Sequence, residues 1–134
     1  MGADMASIHA LLADHEKIRR EVEDIPQGVR SVTTSDDPDV AALIRRHVWE
    51  MKSRMEQGRP IRRMDPLFRE LFAHHDRIHM EIEEVPGGAR VVETSDDPQV
   101  VLLIRQHARA VSEFAERGMD RMHEPTPLPE GYRP

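Results

Sequence analysis

Cysteine is absent from the 134-residue chain. That excludes disulfides, thiolate chemistry, cysteine-ligated zinc, iron–sulfur clusters and haem attached through CxxCH. Aromatic residues make up only 4% of the sequence, so stacking on bases or sugars is not its main business. No apolar run reaches the roughly 18 residues of a membrane-spanning helix, which argues against membrane insertion. The net charge of -6 argues against a nucleic-acid binder held by bulk electrostatics. Gly-rich phosphate loops, a GxSxG elbow and HExxH are missing as well. The stretch 1–6 has neither the basic start nor the apolar segment of a signal peptide. The 38% of apolar residues suffices for one modest core, so the chain reads as a single domain over 1–134.

Against these absences stand eight histidines and eight methionines. They sit on a tandem duplication. Residues 11–58 align without a gap with residues 71–118, and 22 of the 48 positions are identical. The best-matched run is PQGVRSVTTSDDP against PGGARVVETSDDP. Repeat one spans 7–58, repeat two 66–118, and a Pro-rich tail over 124–134 is expected to run extended over the surface.

Each repeat reads as helix, short extended piece, helix. Ile8, Leu11, Leu12, His15, Ile18, Val22 and Ile25 follow helical spacing, as do Leu67, Leu71, Phe72, His75, Ile78 and Ile82. Pro26 with Gly28, and Pro86 with Gly88, stop these helices. The segments 29–34 and 89–94 alternate and are β-prone. Asp37-Pro38 and Asp97-Pro98 read as N-caps followed by proline in the first turn. Val40, Leu43, Ile44, His47, Met51 and Met55 line the second helix, and Val100, Leu103, Ile104, His107, Val111 and Phe114 the fourth. The expectation is a mainly α fold, an up-down-up-down four-helix bundle of two helical hairpins. Both SDDP connectors would lie at one end, with a small two-stranded β ribbon there.

In that bundle four histidines share a depth. His15 and His75 each lie 11 residues before a Pro, and His47 and His107 each lie 10 residues after an Asp. At about 1.5 Å per residue, all four point inward roughly 15 Å below the connectors. A buried imidazole without a partner costs about 1–3 kcal/mol, so something should satisfy the layer. Neutral imidazole suits copper, zinc, iron and nickel. The pattern therefore predicts one transition-metal ion held by His15, His47, His75 and His107, with copper or zinc ahead of iron. His79 and Glu50 are candidates for additional ligands or the surrounding support. His9, His74 and His123 are expected to face solvent. Met51, Met55, Met119 and Met122 fall towards the other end, as core filler or as a thioether-lined way in for Cu(I). The Arg19-Arg20, Arg45-Arg46 and Arg62-Arg63 pairs read as a solvated face.

Two resemblances add to this reading. HEKIRREVEDIPQGV, TSDDPDVAALIRRHVWEMK and PLFRELFAHHDRI resemble a family of small, often exported bacterial proteins of uncharacterised activity. The resemblance covers nearly the whole chain and implies a periplasmic home after removal of an N-terminal signal. LLADHEKIRREV is similar to the first helix of hemerythrin-type di-iron bundles, and His75-x-x-x-His79 to their third-helix pair. Where that family carries bridging carboxylates, this chain has Met51, with Glu50 one residue short, and Ser112. That departure argues against an oxo-bridged di-iron centre.

The function expected from the sequence is metal transport, buffering or sensing, not catalysis, with a second copy of the chain as a conceivable partner. One rival is a b-type haem clamped by two histidines for electron transfer or gas binding. The other is a structural or partner-binding bundle with a buried polar histidine layer.

Overall fold

The structure, a computed structural model, describes residues 2–134, with side chains from Met5 onward. Met1, the first residue of the stretch 1–6 considered above as a signal peptide, lies outside them. Repeat one contributes α1 (Gly2–Ala13), β1 (Arg19–Ile25), β2 (Gly28–Thr34) and α2 (Pro38–Gln57). Repeat two contributes α3 (Pro66–Ala73), β3 (His79–Val85), β4 (Gly88–Thr94) and α4 (Pro98–Arg117), followed by the short α5 (Met119–Met122). The four strands form one antiparallel sheet in the order β1-β2-β4-β3. The chain is therefore not a four-helix bundle but a duplicated α-hairpin-α unit on a common sheet.

The departure from the bundle lies in the first helix expected for each repeat. RREVEDI has no strand-like alternation and good helical propensity, yet it is β1, an edge strand with only residues 20 and 25 partly covered. α1 and α3 stop at Ala13 and Ala73 without a proline or glycine, and a single 3-10 turn follows at His15–Lys17 and His75–Arg77. The expected β pair is present, but as the inner pair, β2 with β4, of a four-stranded sheet.

The register shows how the repeats associate. Ser31 faces Val91 across β2 and β4, and these two positions are equivalent in the duplication. A pseudo-two-fold axis therefore passes through the sheet at that pair. It sends the two hairpin turns to opposite ends. Ser95 donates its backbone N–H to Gln27 O, and Ser35 donates to Gly87 O, so each turn abuts the SDDP connector of the other repeat. The connectors do not share one end, and the single histidine level is lost with that arrangement.

One face of the sheet is covered by α2 and α4, with α1 packed on α2 and α3 on α4. The helices cross over: α4 lies on β1 and β2, while α2 lies on β3 and β4. Arg105 on α4 donates to Gly28 O and Ile25 O of the first hairpin. Arg45 on α2 donates to Gly88 O and Val85 O of the second. Val29 packs with Val100, Ile104 and Ala108, and Ala89 with Val40 and Ile44. The second α-layer adds Leu67, Phe68, Leu71 and Phe72 around Met55 and Leu103. The other sheet face carries paired charges, Arg30 with Glu23 and Arg90 with Glu83, as an antiparallel sheet with one wet side allows. Asp37 and Asp97 cap α2 and α4, accepting from Asp39 N and Val40 N and from Gln99 N.

Of the arginine pairs, one member turns inward each time. Arg19, Arg46 and Arg63 are exposed. Arg45 clasps a hairpin, and Arg62 donates to Asp65, Met122 O and Glu124 O. The tail is more than a surface strand. Thr126 N donates to the buried Asp65, and Tyr132 packs against the α3–α4 cluster while its hydroxyl donates to Glu70.

Candidate functional site

The four histidines divide into two pairs with different jobs. His15 and His75 sit in the 3-10 turns and reach across to the other repeat. His15 Nδ1 lies 3.0 Å from Ala115 O at the end of α4, and His75 Nδ1 lies 2.9 Å from Met55 O at the end of α2. The last carbonyls of a helix lack intrahelical donors, so each ring caps the helix of the opposite repeat. Gly58 and Gly118 follow those helices with positive φ, and the rings rest where a Cβ would stand, 2.6 Å and 2.5 Å from its position. The pairing explains why both Gly and His survive in both repeats.

His47 and His107 lie on α2 and α4, over the sheet. His107 packs edge-on against Phe68, and its Nδ1 is buried without a hydrogen-bond partner. Glu93 Oε1 on β4 is 4.0 Å away, and the two side chains are 22% and 16% exposed. Burial lowers the His107 imidazole to about 4, helped by Arg20 and His47 and opposed by Asp65. Burial raises the Glu93 carboxyl to about 7, opposed by Arg20. Near neutral pH the imidazole is therefore uncharged and the carboxyl is close to half-protonated.

The remaining candidates do not join them. Glu50 accepts from Arg46, while its Oε1 is buried without a hydrogen-bond partner. His79 begins β3, exposed and 3.5 Å from Glu81, so it is not one helical turn from His75. Met55 is buried in the α3–α4 cluster. Met51 is half-buried, the Met122 sulfur is 3.5 Å from Arg62 Nη1, and Met119 is 46% exposed. His9 and His123 are exposed, whereas His74 is half-buried beneath the Tyr132 hydroxyl. Among the described residues no group of three or more His, Asp or Glu could hold a metal ion. The expected four-histidine metal centre is therefore not assembled. The axis that brings His15 and His75 onto helix ends takes them away from His47 and His107.

What the structure does assemble is a polar floor around Arg20, which the charge pattern placed on a solvated face. Arg20 on β1 points under α4. Its Nε donates to Ser112 Oγ at 3.1 Å, Nη1 to Thr33 Oγ1 at 3.0 Å and Nη2 to Ala108 O at 3.4 Å. All three acceptors are neutral. Burial pulls this guanidinium down to about 10, with Glu93 acting the other way. Arg20 floors an open pocket of about 430 Å³ lined by His15, Glu16, Ile18, Val22, Ser112, Ala115 and Glu116. One signal in the sequence points to it. Arg20 aligns with Met80, Thr33 with Glu93, and Ser112 with Lys52, so the polar floor breaks the duplication. The equivalent positions in repeat two are Met80, Glu93 and Lys52, so no guanidinium stands there.

No family model matches the chain, and no curated protein or solved structure is similar to it. No described helix is long and apolar enough to cross a membrane.

Proposed function

We propose that the protein is a binding module for a small organic anion, held at Arg20 beneath α4. The observation that carries this reading is the shielded guanidinium. Arg20 has five N–H donors but three hydrogen bonds, all to neutral acceptors. Among the described residues no carboxylate forms an ion pair with it, and Glu93 is its electrostatic counterpart. A charge removed from water and left without a close opposite charge is costly. A carboxylate offers the planar, two-oxygen geometry that a guanidinium fork fits, and the pocket is open for it. Ser112 Oγ, already oriented by its bond to Ala108 O, positions that fork. No residue of the pocket is arranged as a nucleophile with its base, so the geometry favours binding over catalysis.

Calorimetric melting with 4-methylpentanoate tests this. A ligand at ten times its dissociation constant stabilises the native state by about 1.4 kcal/mol, or roughly 4 °C in a domain of this size. Arg20→Met installs the side chain that repeat two already uses, so the fold should tolerate it, and the ligand-induced rise should vanish. Equal rises in wild type and Arg20→Met would overturn the reading.

A further inference from the structure

We infer that the ligand of the Arg20 pocket is a zwitterion, an aliphatic amino acid in class, with its ammonium group held at the pocket rim. The inference rests on the anion reading and adds the second charge. Glu16, from the 3-10 turn, and Glu116, from the last turn of α4, line the same pocket as Arg20. Both are exposed, and among the described residues neither makes an ion pair. A simple anion entering the pocket would meet these two negative charges before it reached the guanidinium. A molecule with a cationic end turns the same rim into an attraction. The C-terminus of α4 adds to it, because the last turn of a helix carries partial negative charge and favours cations. Between floor and rim, Ile18, Val22 and Ala115 supply an apolar wall suited to an aliphatic side chain. Among the described residues repeat two offers no second such site, because Met80 aligns with Arg20 while Asp76 and Glu56 align with Glu16 and Glu116.

The test is isothermal titration of the intact protein with three probes of one skeleton. These are leucine, 4-methylpentanoate, which lacks the ammonium, and 3-methylbutylamine, which lacks the carboxylate. Leucine should bind with a stoichiometry of one and about fivefold more tightly than 4-methylpentanoate, since exposed ion pairs are individually weak. The doubly substituted Glu16→Gln/Glu116→Gln variant should bind leucine no more tightly than the acid. Both positions are exposed, so the variant should keep the wild-type melting temperature without ligand. If 4-methylpentanoate binds as tightly as leucine, the zwitterion inference fails while the anion reading stands. If neither carboxylate binds, the anion reading itself fails. Binding of the amine as tight as that of leucine overturns both.

Discussion

Gly118→Ala should cost about 3 kcal/mol or more of stability, and about 1–2 kcal/mol of that loss should disappear when His15 is removed as well. Gly118 has φ 61 and ψ -135, a region that residues with a Cβ avoid at a cost of about 1–3 kcal/mol. Its added Cβ would stand 2.5 Å from His15 Cδ2, so the ring must leave. Displacing it breaks the bond to Ala115 O, worth about 1 kcal/mol. The loss is large against a total of about 5–15 kcal/mol for a domain. Gly58→Ala should cost less, because φ 66 and ψ 32 are the ordinary left-handed conformation. Urea unfolding of Gly118→Ala, His15→Ala and the double variant checks this. The coupling energy should reach about 1–2 kcal/mol, and strictly additive losses would sink the idea that the glycine exists to admit the ring.

Glu93→Gln should stabilise the protein at pH 8 and do nothing at pH 4.5. The carboxyl is raised by burial from 4.5 to about 7. Its favourable contribution is complete below pH 4.5, where it is neutral in both states. That contribution is lost as pH rises through about 7, where the folded state must ionise a buried acid. The shift corresponds to about 3 kcal/mol at pH 8, equivalent to about 10 °C in melting temperature. His107 acts at the other end. Its imidazole is lowered to about 4, so its contribution is intact above pH 6.5 and is lost as pH falls towards 4. Arg20 on β1, His47 on α2 and Asp65 before α3 act on this pair through their charges. Stability should therefore peak between about pH 5 and 6.5. Thermal melts of wild type and Glu93→Gln across pH 4.5–8.5 measure it, and parallel curves would show that Glu93 is not held neutral.

The first effect arises from a contact between the repeats, and that is where the sequence stopped being legible. Local physics carries far when an element decides its own structure. The SDDP connectors fix their helices because Asp37 and Asp97 supply the missing acceptors at the N-terminus and the following proline needs no donor there. The stripes of α2 and α4 repeat with the helical period because each helix buries one side on the sheet. The pairing of the 29–34 and 89–94 segments follows from their β-branched, alternating character. The duplication itself, and with it the pseudo-two-fold, is written in the 60-residue shift.

The tertiary structure alone decided where α1 and α3 end and what their last turns become. Ile18, Val22 and Ile25 are spaced as one face of a helix, and RREVEDI would accept that conformation. It is a strand because β2 offers it a full ladder from Arg19 with Thr34 to Ile25 with Gly28. The preceding turn is held by a histidine bonded to a helix a hundred residues away. Hydrogen bonds of that range leave no periodicity behind. The same holds for the candidate site. An arginine on an edge strand looks solvated until a helix from the other repeat covers it. What the sequence does record is the broken symmetry, Arg20 against Met80 and Glu93 against Thr33, because a duplicated fold needs neither charge in its sheet. The histidines kept their pairwise equivalence through the duplication, but the axis relating the repeats put two of them on helix ends and two over the sheet.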